Sequence, residues 1–173
     1  MKPASALVVL VPEAEPLLAD LRLRFDPSAA EGVPAHVTVL YPFVPPHAVT
    51  DADLAALTQL CAGLPAFDCR FARVGRFAAT AWLAPEPAAP FIALTRAVMA
   101  RFPGLVPYDG RHPDIVPHLT VADGLAADAD VAQAQLEERL ARQGPVQARC
   151  RELALLDNRG GRWALRQAFA LRA

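Results

Sequence analysis

The sequence predicts an α+β protein with two packed lobes whose sheets face one another. Three observations support this prediction. Helix and strand patterns are mixed along the chain, several neighbouring strands are joined by short turns, and a short strand with a proline–histidine start occurs once in each half. The 173 residues match one compact domain, residues 1–173, made of two pseudo-repeat lobes.

The first part of the chain alternates between apolar strands and helices. Ser5 to Val11 is a continuous apolar run and predicts a buried strand, and Glu13 to Phe25 carries leucines at helical spacing. Val37 to Leu40 predicts a second strand, which prolines close. Thr50 with Asp53 three residues later has the pattern of a capping box, so a helix is expected to begin here and to end near the next glycine.

The middle of the chain continues with a hairpin, a helix and a further strand. Phe67 to Phe77 and Ala79 to Leu83 predict an antiparallel pair of strands. Pro90 opens the next helix, since proline is favoured at the first helical position. A loop rich in Pro, Gly and Asp follows at 103–113, and it leads to a strand around Ile115 to Ala122.

The C-terminal part predicts one more helix and two strands. Asp128 or Asp130 caps the helix, and Gly144 ends it. The strands, Gln147 to Leu156 and Trp163 to Leu171, are separated by Asp-Asn-Arg-Gly-Gly, which is a strong hairpin turn signal.

Composition limits the classes of partner. The net charge is −1, so the chain has no overall basic field that would attract nucleic acid, and a phosphate ligand would need local positive charge. No apolar run is long enough to span a bilayer, and the three cysteines lack the paired spacing of a zinc site or disulfide framework. We therefore expect a cytoplasmic protein, a monomer with no membrane partner, no metal and no cofactor.

Two of the four histidines share a motif. His36 and His118 are each followed two positions later by threonine, Thr38 and Thr120, although only six threonines occur in the chain. Side chains at positions i and i+2 of a strand point to the same face. Each histidine is therefore expected to project together with its threonine, and packing of the two lobes would bring both pairs into one cleft.

This set of side chains suits phosphodiester chemistry. A neutral histidine can take a proton from an attacking hydroxyl while a protonated histidine donates one to the leaving oxygen, because the imidazole pKa lies near neutrality. The threonine hydroxyls would hold the non-bridging phosphate oxygens. Which histidine is acid and which is base stays open.

With one His-x-Thr motif in each half, the chain resembles the two-histidine phosphoesterase superfamily, which includes bacterial 2′-5′ RNA ligases and cyclic nucleotide phosphodiesterases. The wider pattern agrees: the opening Ala-Leu-Val-Val strand, His36-Val-Thr-Val-Leu-Tyr-Pro-Phe and the closing Gly-Arg-Trp. The resemblance covers essentially the whole chain. It implies a bilobal two-histidine phosphoesterase fold with two pseudo-symmetric lobes, facing antiparallel sheets, outer helices and a central cleft. It also implies metal-independent action on a 2′,3′-cyclic phosphate or a 2′-5′ phosphodiester of a nucleotide or RNA end.

One departure from the family pattern bears on the substrate. Many RNA-handling members have a basic residue shortly after the second motif, whereas Ala122 and Asp123 follow Val121 here. A small nucleotide or cyclic phosphate therefore becomes more plausible than a long RNA. The same departure favours the alternative of a non-catalytic module that binds a nucleotide or RNA end. A metal-dependent hydrolase that uses the same histidines is the other alternative.

The sequence neighbours of several other residues indicate their roles. Tyr41 is a candidate for stacking on a base, although a core or rim role fits equally well. Arg76, at a strand end, is the predicted phosphate contact, with Arg159 and Arg162 as alternatives. The remaining residues are expected to be structural or solvated: His47, His112, Trp82 and Trp163.

Overall fold

The computed structural model describes residues 2–111 and 114–173, and the strands within these ranges form two antiparallel sheets of four. The strands are β1 Ser5–Leu10, β2 His36–Leu40, β3 Phe67–Phe77, β4 Thr80–Glu86, β5 Leu119–Asp123, β6 Val146–Cys150, β7 Glu152–Asp157 and β8 Ala164–Ala170. The first sheet has the order β2-β1-β7-β8, and the second has the order β5-β4-β3-β6. The strand carrying each His-x-Thr motif thus lies at a sheet edge.

Helices connect and cover the sheets. They are α1 Glu15–Phe25, α2 Pro27–Ala30, α3 Asp51–Gly63, α4 Ala89–Arg101 and α5 Ala126–Gln143, with short 3₁₀ turns at Pro12–Ala14 and Pro107–Gly110. The capping box at the start of α3 is present as predicted: Thr50 accepts a hydrogen bond from the Asp53 backbone N–H, and the Asp53 carboxylate accepts one from the Thr50 backbone N–H.

The two lobes exchange helices. α1 joins β1 to β2 in the first sheet, yet it packs against β5 of the second sheet. α4 joins β4 to β5 in the second sheet, yet it packs against β2 of the first. β2 and β5 also contact each other. This reciprocal arrangement brings the two motif strands together at the centre of the molecule.

The core extends through both lobes. Val37 and Val39 of β2 and Leu119 and Val121 of β5 are buried in the same apolar cluster, on the side of their strands that the alternation predicts. The opposite face of the first sheet carries a smaller apolar cluster, against which Leu10 and Trp163 pack: Ala6, Val8, Val33, Ala154 and Leu156. The first sheet therefore carries apolar residues on both faces, and the larger cluster lies on the side of Val37 and Val39.

The structure corrects the prediction of a single strand from Gln147 to Leu156. This segment forms two strands, β6 in the second sheet and β7 in the first, and the chain crosses between the sheets at Arg151. The alternation of β6 ends at two consecutive charged residues, Arg151 and Glu152, and a continuous apolar run follows in β7, so the sequence does carry a signal of the break.

Three element boundaries differ from the prediction by about three residues or more. β5 begins at Leu119 and not near Ile115, because Pro117 lacks the N–H that a paired strand needs. β4 extends through Pro85, beyond the last residue that pairs with β5, where a proline is tolerated on a free edge. α5 begins at Ala126 with no side-chain cap, so Asp128 lies in the first turn, where a carboxylate favours the helix dipole. Gly144, with φ of 78°, ends α5 as predicted.

Among the described residues, no helix combines the length and the apolar character required to cross a membrane.

Candidate active site

The two motifs have matching backbone geometry. His36 is the first residue of β2, and His118 immediately precedes β5. In the first sheet Val8 pairs with Thr38 and Leu7 with Leu40, so a bulge lies at Val39. In the second sheet Trp82 pairs with Thr120 and Ala81 with Ala122, which places a bulge at the equivalent residue, Val121. The two lobes therefore present their motifs in the same way.

Both imidazoles are held by the same type of contact. The Nδ1 atom of His36 lies 2.7 Å from the Pro34 carbonyl oxygen, and Nδ1 of His118 lies 2.7 Å from the Val116 carbonyl oxygen. A carbonyl oxygen can only accept, so Nδ1 carries the hydrogen in both rings. The Nε2 atom of each ring is consequently the one that can accept a proton or, when protonated, donate it.

The two histidines share one electrostatic environment. Burial lowers the pKa of His36 to about 4, and the positive charges of Arg22 and His118 act in the same direction, while the contact with Pro34 and the charge of Asp26 oppose the shift. The guanidinium of Arg22 is buried, and it forms an ion pair with Asp26 over 2.8 Å. His36 is therefore held neutral at physiological pH.

Thr38 and Thr120 are half-buried on the same strand face as their histidines. Thr38 shares a side-chain hydrogen bond with Tyr108, and burial raises the pKa of this phenol. Tyr108 adopts a φ of 53° in the loop before β5, and its backbone N–H donates to the Tyr41 carbonyl. Sequence reasoning missed Tyr108, because a lone tyrosine in a Pro/Gly/Asp-rich loop gives no local signal of its contact with Thr38.

Aromatic rings lie beside both motifs. The bulge at Val39 changes which face the following residues present, so Leu40 enters the core and Tyr41 is 37% exposed. The Tyr41 ring lies 6.2 Å from Trp163 and 6.5 Å from Tyr108 between centroids. On the second sheet, the Trp82 and Phe77 rings lie 5.8 and 5.3 Å from His118. Trp82, which the sequence predicts to be a packing residue, therefore also lies beside a motif histidine.

Two of the three arginines predicted as phosphate contacts, Arg76 and Arg159, form ion pairs with carboxylates. Arg76 pairs with Ala81, on the strand face opposite Trp82, and it donates to Asp130 of α5 over 2.7 Å. Arg159 forms an ion pair with Asp157 over 2.8 Å. A phosphate contact through Arg76 stays a prediction, and its ion pair with α5 argues against it.

The position after the second motif that departs from the family pattern is occupied by a carboxylate. Asp123 is exposed at the end of β5, and its side chain accepts a hydrogen bond from the Thr80 hydroxyl over 2.7 Å. A carboxylate here repels a nearby phosphate.

Two further histidines occur in the chain, and neither is followed two positions later by threonine. His47 is exposed in the loop between β2 and α3, as expected for a solvated residue, while His112 lies outside the described residues. Within the ranges 2–111 and 114–173, no three His, Cys, Asp or Glu side chains are grouped as a metal site would require.

Comparisons with a family model and with solved structures identify proteins that are similar to this chain. The family model of the 2′-5′ RNA ligase superfamily matches residues 10–162. No curated protein matches the chain. Among solved structures, LigT of E. coli complexed with NADP+ is 18% identical with a TM-score of 0.60, and all of each chain is covered. The LigT complex with 3′-AMP is 17% identical with a TM-score of 0.59, again over all of each chain.

Another solved structure is similar to this chain at about the same level of identity. TT0787 of Thermus thermophilus is 18% identical with a TM-score of 0.62, over 98% of each chain. At these identities the likeness establishes a shared fold. It confirms the bilobal α+β architecture with two facing antiparallel sheets that the sequence predicted.

Proposed function

Because the chain belongs to the 2′-5′ RNA ligase superfamily of phosphoesterases, we propose that it opens or forms a 2′,3′-cyclic phosphate or a 2′-5′ phosphodiester without a metal. The observation that carries the proposal is the matched pair of imidazoles. His36 and His118 both have Nδ1 bonded to a backbone carbonyl, so Nε2 is the nitrogen that can transfer a proton in both rings.

The environment of His36 supports one assignment of the two proton-transfer roles. Its pKa of about 4 keeps the ring neutral at pH 7, so His36 is the general base and His118 the general acid. In the opening of a cyclic phosphate, a water oxygen attacks phosphorus and its proton passes to Nε2 of His36. The bond from phosphorus to a ribose oxygen breaks, and this oxygen takes the Nε2 proton of His118. The product is a nucleoside monophosphate.

The neighbouring hydroxyls bind the phosphate. Thr38 and Thr120 donate to the non-bridging oxygens, and Tyr108 orients Thr38 through their shared hydrogen bond. Tyr41 offers an exposed ring for a base. The crystal structure of LigT complexed with 3′-AMP supports a nucleotide as a ligand of this fold.

The test is turnover of three substrates in EDTA: 2′,3′-cyclic AMP, a 2′-5′ dinucleotide and an RNA with a cyclic phosphate end. The variants are His36→Ala and His118→Ala, with His47→Ala as an exposed histidine control. General acid–base catalysis contributes typically about 10²–10⁴-fold. We expect losses of that size in the first two variants and none in His47→Ala. Turnover that disappears in EDTA would instead indicate the metal-dependent alternative.

A binding module of the same fold is the second candidate, favoured by the carboxylate of Asp123 after the second motif. It predicts that the wild-type protein binds nucleotide but turns over none of the three substrates. His36→Ala would then weaken binding, with no catalytic rate to lose.

A further inference from the structure

The two motif histidines are held by peptide groups that differ between the lobes. The oxygen that contacts Nδ1 of His36 is the Pro34 carbonyl, and the nitrogen of the same peptide group belongs to Ala35. In the peptide group that holds His118, the nitrogen belongs to Pro117. Proline has no N–H, so only the peptide group beside His36 offers a hydrogen-bond donor through which it can itself be held.

A carboxylate engages this donor. Glu15, the first residue of α1, accepts a hydrogen bond from the Ala35 N–H over 2.6 Å. Ala35 is 0% exposed, so its N–H needs a partner within the protein. The Ala35 carbonyl in turn accepts from the backbone N–H of Val11 over 2.8 Å. The segment that leads into His36 is therefore held by α1 on one side and by the end of the first strand on the other.

One peptide group connects Glu15 to His36. A peptide group is planar, so the direction of its N–H determines the direction of its C=O. The hydrogen bond from Ala35 to Glu15 therefore orients the Pro34 carbonyl. This carbonyl lies 2.7 Å from Nδ1 of His36. Hydrogen bonds that share a peptide group also polarise one another, and those to a carboxylate are the stronger kind.

A buried ion pair lies beside the Glu15 carboxylate. Arg22, two turns further along α1, is buried and has a guanidinium nitrogen 4.0 Å from Glu15. The same guanidinium donates to Asp26 over 2.8 Å, and Asp26 accepts from the backbone N–H and the hydroxyl of Ser28. Glu15 is thus attached to a rigid network at the start of α2. The second lobe cannot form the equivalent of its backbone contact, because Pro117 lacks the N–H.

From this arrangement we infer that Glu15 is a positioning residue for His36: through the peptide group of Pro34 and Ala35 it holds the ring with Nε2 directed to the substrate. The inference rests on the proposed function, in which Nε2 of His36 accepts the proton of the attacking oxygen. Glu15 takes no proton itself. Its removal should therefore lower kcat and leave KM unchanged, because the contacts with the substrate stay in place while the ring loses its fixed orientation.

The first part of the experiment is turnover of 2′,3′-cyclic AMP. Glu15→Ala removes the acceptor, whereas Glu15→Gln keeps an amide oxygen that can accept from the Ala35 N–H. Groups that orient a metal-bound histidine through its other nitrogen contribute roughly 10–100-fold. By analogy, we expect kcat to fall by about tenfold in Glu15→Ala and to recover in Glu15→Gln. Glu13→Ala, at an exposed carboxylate two positions earlier, is the control and should leave kcat unchanged.

The second part observes the rings without turnover, by nitrogen NMR of 15N-labelled histidine at pH 7. His36 is neutral at this pH, and its Nδ1–H tautomer should dominate in the wild-type protein. Glu15→Ala should convert it to a mixture of the two neutral tautomers, and Glu15→Gln should restore the wild-type signals. The His118 signals in the same spectra should not change, since Pro117 gives a carboxylate nothing to bind. Spectra of His36→Ala and His118→Ala assign the signals.

Four results would overturn the inference: full activity of Glu15→Ala, no recovery in Glu15→Gln, an unchanged His36 tautomer, or an equal change at both rings. The last two would show that Glu15 supports the fold in general. Absence of turnover by the wild-type protein would contradict the proposed function, and the tautomer of His36 would then decide alone. A change in Glu15→Ala that Glu15→Gln reverses supports the positioning role, whereas an unchanged ring rejects it.

Discussion

At the scale of single residues, the surroundings of His36 determine the pH range of activity. Burial and the charge of Arg22 lower its pKa to about 4 from the ordinary value of 6.5. A general base works only when it is neutral, so activity is lost as the pH falls through the folded-state pKa. We expect kcat/KM for 2′,3′-cyclic AMP to be unaffected by protonation of His36 above about pH 5. Below that pH it should fall, with a midpoint near pH 4.

The measurement is a pH–rate profile, with circular dichroism at each pH to separate loss of activity from unfolding. The stability of the fold changes with pH in the same direction as the activity. Because the unfolded chain protonates His36 near pH 6.5 and the folded chain only near 4, the unfolded state binds more protons between these values, and stability falls as the pH is lowered. An acid limb centred near pH 6.5 would contradict the role of His36 as a desolvated base.

The residues that the sequence identified are those that repeat. Four residues of the candidate site could be predicted because one pattern, His-x-Thr, occurs twice on strands, and strand alternation places both members of each pair on one face. Tyr108 and Phe77 carry no such repeat. Tyr108 contacts Thr38 across 70 positions of sequence. Phe77 packs on the indole of Trp82, which in turn lies against Gly75. Contacts of this kind are set by packing, which local patterns do not record.

At the scale of elements, bulges decide what each strand presents to the cleft. Strict alternation places Leu40 on the same face as His36 and Thr38, but the bulge at Val39 moves Leu40 into the core and turns Tyr41 outward. The bulge at Val121 acts in the same way on Ala122, which is buried, and on Asp123, which is exposed. The two motifs therefore present different chemistry at equivalent positions, an aromatic ring in one lobe and a carboxylate in the other.

Helix starts were predictable where a side chain makes the cap. Thr50 and Asp53 form the capping box of α3, whereas the N-cap residue of α5 is Leu125, whose side chain makes no cap, and the sequence predicted this cap three or five residues too late. We expect Thr50→Ala to lower the free energy of unfolding by about 1 kcal/mol, since it leaves a backbone N–H of the first turn without its partner. Urea denaturation would measure this change.

Thr58→Ala is the matched control. Thr58 is an exposed threonine within the same helix, and its hydroxyl donates to the Leu54 carbonyl, which the helix already engages. Alanine is the better helix former, so this substitution should be neutral or slightly stabilising. Equal destabilisation by both substitutions would show that loss of the threonine side chain, and not loss of the cap, causes the effect.

At the scale of the whole molecule, the exchanged helices make the two lobes depend on each other. α1 belongs to the first lobe by sequence and packs on the second sheet, and α4 does the reverse. Buried residues from both sheets belong to one apolar cluster. Neither lobe can then bury its apolar surface alone. We therefore propose that residues 1–173 form one domain of two pseudo-repeat lobes, and that this domain unfolds in a single cooperative transition.

The two tryptophans allow this to be tested, because one lies on each sheet: Trp163 on the first and Trp82 on the second. Trp163→Phe leaves a probe of the second sheet alone, and Trp82→Phe leaves a probe of the first. In each variant, we expect the fluorescence midpoint in urea to coincide with that of far-UV circular dichroism. Adding Thr50→Ala gives the sharper test, since α3 packs on β8 of the first sheet. If the domain unfolds as one cooperative unit, Thr50→Ala lowers the urea midpoint reported by Trp82 on the second sheet as much as the midpoint reported by Trp163. A change seen only with Trp163 would show that the lobes unfold separately.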